Sequence, residues 1–144
     1  ASEGRPPVRE RASAMVLIPT LTLVMLVLGA LSVDLAVVHL GQRQAFAAAS
    51  AAANDAATYG LDPAALQRGD GAVLDAHRAR RAAAASLAGE EALDPSAQPV
   101  VAIEGTTVTV SVQLDVPYVF AQGIPGAGDG TTVRATASAD AMER

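Results

Sequence analysis

The 144-residue chain contains no cysteine, no tryptophan and no lysine, and aromatic side chains make up only 3% of it. Without cysteine there is neither a disulfide framework nor a thiolate metal site, and the redox compartment leaves no trace. Phe46, Tyr59, Tyr118 and Phe120 are the only large rings, so any soluble core is expected to be thin. All ten basic residues are arginine, outnumbered by fifteen acids for a net charge of −5. They form no basic stripe, which argues against nucleic acid as a partner. The arginine preference and the alanine excess read as the mark of a GC-rich genome rather than of chemistry. Also missing are the G-x-S-x-G, P-loop, H-E-x-x-H and dinucleotide fingerprints. His39 and His77 have no second ligand at a metal-binding spacing. The Gly-Asp-Gly triplets at 69–71 and 128–130 lack the alternating carboxylates of a calcium loop and read as turns. No catalytic, cofactor or metal site is therefore expected, nor a small-molecule substrate, and the chain does not read as an enzyme.

What the chain has in quantity is one uncharged run, Ala14 to Val33, twenty residues closed by Asp34. As a helix it is about 30 Å long, the thickness of a bilayer's hydrocarbon core. Eleven of the twenty are Leu, Ile or Val, which favours insertion by roughly 5 kcal/mol. The charge of Asp34 opposes this by less, because at the end of the run its carboxylate reaches the headgroups. Arg5, Arg9 and Arg11 precede the run and only Arg43 follows it closely, so the positive-inside rule places the N-terminus in the cytoplasm. A cleaved secretory signal shows the same basic-then-apolar order. This run is too long for one, however, and Leu28 stands where a cut near Ala30 wants a small residue. A retained single-pass span with membrane lipid around it is expected.

Beyond Asp34 the sequence stays free of proline and rich in alanine up to Tyr59-Gly60, predicting one helix from Ser13 to Tyr59. Pro19 lies early enough to bend the helix without ending it. Asp34, Val38, Gly41, Ala45, Ala48, Ala52, Asp55 and Tyr59 follow a 4-3 spacing, and small residues there would let another helix approach closely. Abundant alanine alone would give the same pattern. Asp34 has only valines at its i+3 and i+4 positions, so it sits among headgroups or is satisfied by a partner. A short helical turn is expected over Pro63 to Arg68, then a second helix over Ala72 to Leu87 with Asp70 near its start. The apolar stripe of that helix is Val73, His77, Ala84 and Leu87, and it is expected to lie on the sheet that follows. Asp94 to Pro99 reads as a linker.

From Val100 the hydrophobic period becomes two. Val108, Val110, Val112, Leu114 and Val116 alternate with polar residues in one strand, and Val133, Ala135, Ala137 and Ala139 do so in another, over Thr131 to Asp140. A shorter strand over Val100 to Glu104 joins the first through Gly105-Thr106, where glycine suits the first central position of a type II′ turn. Tyr118, Val119, Phe120 and Ile124 form an apolar cluster in the intervening loop. They cap the small core, or face the membrane or another subunit. The fold class is thus α+β, with a long N-terminal helix extending out of the membrane, a second helix and a small three-stranded antiparallel sheet. The chain divides into a cytoplasmic basic tail (1–12), the spanning and extended helix (13–59, with 14–36 in the membrane) and a small extracytoplasmic domain (60–144).

Several of these residues also resemble a known family. Glu10, Arg11 and Ser13 precede the apolar helix, which ends Val33-Asp34-Leu35-Ala36. Arg43-Gln44, the alanine-rich run from Ala51 to Ala57 and a Thr/Ser/Val/Ala strand pair around a Pro-Gly loop follow. In this order they resemble the TadE/TadG-like proteins of Flp (tight-adherence) pilus assembly. The resemblance implies a pilin-like membrane protein that primes, joins or supports an extracellular filament, with other pilin-like subunits as partners. Prepilin-type subunits carry a processing glycine with glutamate at the fifth mature position. Here Gly4 precedes Arg5 and the nearest glutamate, Glu10, is sixth, so a minor or membrane-resident subunit fits better than a major pilin. Candidate partner contacts are Asp34, Gly41, Arg43, Ala45, Ala48, Ala52, Tyr118, Phe120 and Ile124. The alternative from another class is an anchored extracytoplasmic binding module that uses the 117–125 loop.

Overall fold

The structure, a computed structural model, describes residues 8–90, 93 and 98–141, with side chains from Met15 onward. The first seven residues of the basic tail, with Gly4, Arg5 and the Pro6-Pro7 pair, lie outside the described residues, as do 94–97 of the expected linker.

Helix α1 runs from Val8 to Tyr59 without interruption, a length of about 78 Å. It begins at Val8 rather than Ser13, because nothing after Pro7 disfavours helix. Pro19 is accommodated within it. In the apolar stretch Thr20, Thr22 and Ser32 return their hydroxyls to the carbonyls of Val16, Ile18 and Leu28, at 2.8, 3.0 and 2.8 Å. No hydroxyl is left without a partner along that stretch, as an apolar surrounding requires. The helix is long and apolar enough to cross a membrane. Its residues from Met15 to Val33 are exposed except Ala30, which is partly so.

After Gly60 comes α2 (Pro63–Arg68), with Asp62 capping its start and Gly69 ending it in the left-handed conformation at φ 78°. The chain then returns in extended form. The amide of Asp62 donates to Val73 O, and that of Asp75 donates to Gly60 O, both at 2.8 Å. This pairing delays the next helix. Helix α3 spans Ala76–Leu87 rather than starting at Ala72, and its cap is Asp75, not Asp70. The Asp75 carboxylate accepts from the amides of His77 and Arg78 at 2.8 and 3.0 Å. The bond from Arg78, aided by that from His77 and by the Arg78 charge, outweighs desolvation and holds Asp75 below the ordinary carboxylate range. Asp70 instead pairs with Arg68 at the surface.

The stripe α3 buries is Ala79, Ala83 and Leu87, not the expected Val73, His77 and Ala84, which are exposed. This corrects the placement of the helix as well. It packs chiefly against α1, not on the sheet. Gly60 makes that possible, since a Cβ there would collide with the Ala56 carbonyl and with Ala79.

The sheet has order β1-β2-β3, from β1 (Val100–Glu104), β2 (Thr107–Pro117) and β3 (Gly130–Asp140), all antiparallel. Glu104 pairs with Thr107 across a two-residue turn. Gly105 has φ 60° and Thr106 does not have positive φ, the pattern of a type II′ hairpin. One face carries Val108, Val110, Val112, Leu114 and Val116 with Val133 and Ala137, all buried. The other carries hydroxyls in register: Thr109 with Ser138 and Ser111 with Thr136, each at 2.8 Å, and Thr132 donating to Asp115 at 2.6 Å. Such cross-strand pairs tie β2 to β3 without using the apolar face. The core lies between that apolar face, the outer half of α1 and the inner stripe of α3. Among the described residues Val108 and Val110 are the largest side chains fully buried in it, with alanine methyls filling the helix side. This is the thin core that the scarcity of large side chains implies.

Candidate functional site

The outer half of α1 buries Gly41 and then Ala45, after which the stripe widens to adjacent pairs: Ala48 and Ala49, Ala52 and Ala53, Ala56 and Ala57. A single row suffices where only the sheet lies above the helix. Two positions per turn are covered where α3 flanks it too. Gly41, Ala45, Ala48 and Ala52, offered by their spacing to a second helix, therefore face the chain's own sheet and α3. Small residues do permit close approach here, but the approaching element is β2: a Cβ on Gly41 would strike Val116. Among the partner-contact candidates on the helix only Arg43 remains exposed. It shares its side of the helix with Leu40, Phe46 and Ala47, all exposed.

The hydrogen-bond donors that Asp34 lacks on its own helix come from a distant part of the same chain. Asp34 is only 4% exposed and is the one buried charged residue among the described side chains. Its carboxylate is held by the chain itself. Val119 and Phe120 donate their backbone amides to Oδ1 at 2.7 and 3.1 Å, and Ala121 donates to Oδ2 at 2.8 Å. Three successive amides turned to one side make a concave anion site, and a carboxylate satisfied this way tolerates burial. Local structure builds the nest. Strand β2 ends at Pro117, and a 3-10 turn over Ala121–Gly123 aligns the amides. The Gln122 side chain donates to Val119 O at 3.1 Å, while the Tyr118 amide closes the neck of the loop on Asp129 O at 3.0 Å.

Because Val116 lies over Gly41 and the loop after it reaches Asp34, β2 runs toward the apolar end of α1 and β3 runs away. The apolar loop is thus fixed at the end of the uncharged stretch. Its side chains do not cap the core: Val119, Phe120 and Ile124 are 47%, 52% and 60% exposed, and Tyr118 is half-buried. The backbone makes the attachment, which leaves the apolar side chains pointing outward. No spacing rule links Asp34 to amides 85 residues later. The available signal was a lone acid at a helix position with no cation nearby.

Among the described residues no group of three or more acidic or histidine side chains is close enough to hold a metal ion. Shallow open grooves lie beside Asp115, Asp129 and Thr132, and beside His77, Arg80 and Arg81. Gly69, Gly71 and Gly128 have positive φ, the conformation of turns, in the two Gly-Asp-Gly triplets. Compared with known proteins, the chain matches no family model, no curated protein and no solved structure.

Proposed function

We propose that this chain is a single-pass membrane protein, with a cytoplasmic N-terminus and an extracytoplasmic α+β part, that serves as a structural component of a Flp/Tad-type pilus or a related secretion machine. It works as a minor pilin-like or membrane-resident subunit, by helix packing and lateral contact, and carries out no catalysis. The observation that carries this reading is the division of one unbroken helix. From Met15 to Val33 it is apolar and bare, and beyond Asp34 it is sheathed on one side by its own small sheet and α3. That division suits a rod set in lipid or among similar helices, with a scaffold held outside. The resemblance in the order of motifs around Asp34, Arg43-Gln44 and the alanine run supports the family assignment.

Lateral contact on α1 falls to the face opposite the sheet, with Leu40, Arg43, Phe46 and Ala47. The absence of cysteine allows a direct test in intact cells. A single cysteine replacing Phe46 or Leu40, carrying a short photoreactive label, is expected to capture pilus-assembly subunits. A cysteine replacing Ala52, under the sheet, is expected to capture none. Adducts with lipid alone, or none from any position, would refute the assembly role.

A further inference from the structure

We infer that the Tyr118–Ile124 loop is a second, shallow membrane contact, laid into the headgroup–acyl boundary beside the end of the apolar helix. The inference rests on the reading of α1 as a membrane anchor, and it commits the loop to lipid where either lipid or protein was open.

Height decides between them. The three amide bonds from Val119, Phe120 and Ala121 hold the loop backbone within 3.1 Å of the Asp34 carboxylate, and Asp34 is the first charge after the uncharged stretch. If that stretch fills the hydrocarbon, the loop lies at its edge whatever the tilt of the helix. Surface character agrees. Residues 117–128 contain no charge, and two of the chain's four large rings are in this loop. Val119, Phe120 and Ile124 stand exposed, and so do Leu31 and Leu35, which flank the tethering Asp34 on α1. Rings and aliphatic side chains without charge are what the boundary accepts, and tyrosine is favoured there for its polar tip. The contact is shallow because the loop is tethered at the edge and its side chains reach only a few ångströms. A docking patch for soluble protein would instead carry a polar, charged rim, and the nearest charged residue of the loop, Asp129, comes only at its neck.

The missing tryptophan makes the test clean. Full-length F120W and I124W, each then carrying the sole tryptophan, are placed in phosphatidylcholine–phosphatidylglycerol vesicles beside two controls, L26W in the apolar helix and V73W at the far end. Quenching is compared between lipids brominated high on the acyl chain and near its methyl end. Expected for F120W and I124W is blue-shifted emission, quenched more by the high bromines. L26W should be quenched by the deep ones and V73W by neither. Water-like, unquenched emission from both loop tryptophans, with L26W quenched, overturns the proposal and leaves the anchor standing. Blue-shifted but unquenched emission also overturns it, showing that protein covers the loop. An unquenched L26W would sink the anchor itself.

Discussion

Replacing Gly41 with alanine sets two opposed effects against each other, and their balance reports what lies over the helix. In an exposed helix interior the change stabilises by about 1 kcal/mol, because glycine loses more backbone freedom and is the poorer helix former. Here the added methyl meets a Val116 methyl group with no room between them. Val116 is buried and β-branched, and its backbone is paired with Thr131 near the end of the β2–β3 ladder, so the side chain has little freedom to give way. Overpacking of a filled site costs about 1–3 kcal/mol. The net expectation for Gly41→Ala is a loss of about 0–2 kcal/mol, with the sheet nudged away from α1.

The counter-mutation supplies the proof. Val116→Ala removes two methyls, a loss of about 1.6 kcal/mol by transfer alone at about 0.8 kcal/mol per group, and opens space above Gly41. The pair together should lose less than the sum of the singles, with a coupling of about 1–2 kcal/mol, since residues in contact do not add. Denaturant unfolding of the full chain in detergent micelles, followed by far-ultraviolet circular dichroism, measures all four corners of the cycle. A gain in stability from Gly41→Ala with no coupling to Val116→Ala would refute the packing of β2 on this helix face. It would return Gly41 to the role of a site for a second helix.

Two further outcomes follow from the polar contacts. In Asp34→Ala, hydrogen exchange at the amides of Val119, Phe120 and Ala121 should rise to that of open loop while Val110 stays protected; unchanged protection at the three would show that the carboxylate does not hold them. For Asp75, whose folded pKa lies below its ordinary value near 4, the contribution to stability is complete above that value and disappears as pH falls through the lower folded one. Asp75→Ala should thus melt lower than the parent at neutral pH and show a smaller further drop under acid, and a parallel acid response in the two proteins would rule the cap out.

The elements were largely legible and their neighbours were not. Period-two alternation along 107–117 and 130–140 marks strands whatever surrounds them, and Glu104-Gly105-Thr106-Thr107 specifies its own turn. The uncharged run declares its length directly. The outer half of α1 behaves differently. Alanine occupies its buried and exposed positions alike, Ala49 against Ala51 for example, so hydrophobicity cannot distinguish the faces. Helix α3 starts later than its composition implies, for a tertiary reason. Residues 73–75 have the composition of helix, but they are drawn into extended pairing with 60–62, and the helix waits for Asp75. The Asp34 nest lies beyond any local rule, because its donors are backbone amides whose direction depends on a turn distant in sequence.

An alanine face creates a difficulty that the two least legible features resolve. Methyl groups present a smooth surface, and a sheet of valines can slide along it by a helical turn with little change in buried area. Packing of this kind supplies adhesion but weakly specifies register. Specification has to come from contacts with one solution. Val116 enters the gap left by the missing side chain of Gly41, and the amides of residues 119–121 close on Asp34 two turns further down. A slip of one turn, about 5.4 Å, would force Val116 onto a methyl and leave a buried carboxylate without donors. Breaking a satisfied buried polar group is far more costly than shifting one apolar contact. Asp34 and Gly41 therefore act as a detent on an otherwise featureless rod, and the height of the apolar loop beside α1 is set by these two residues.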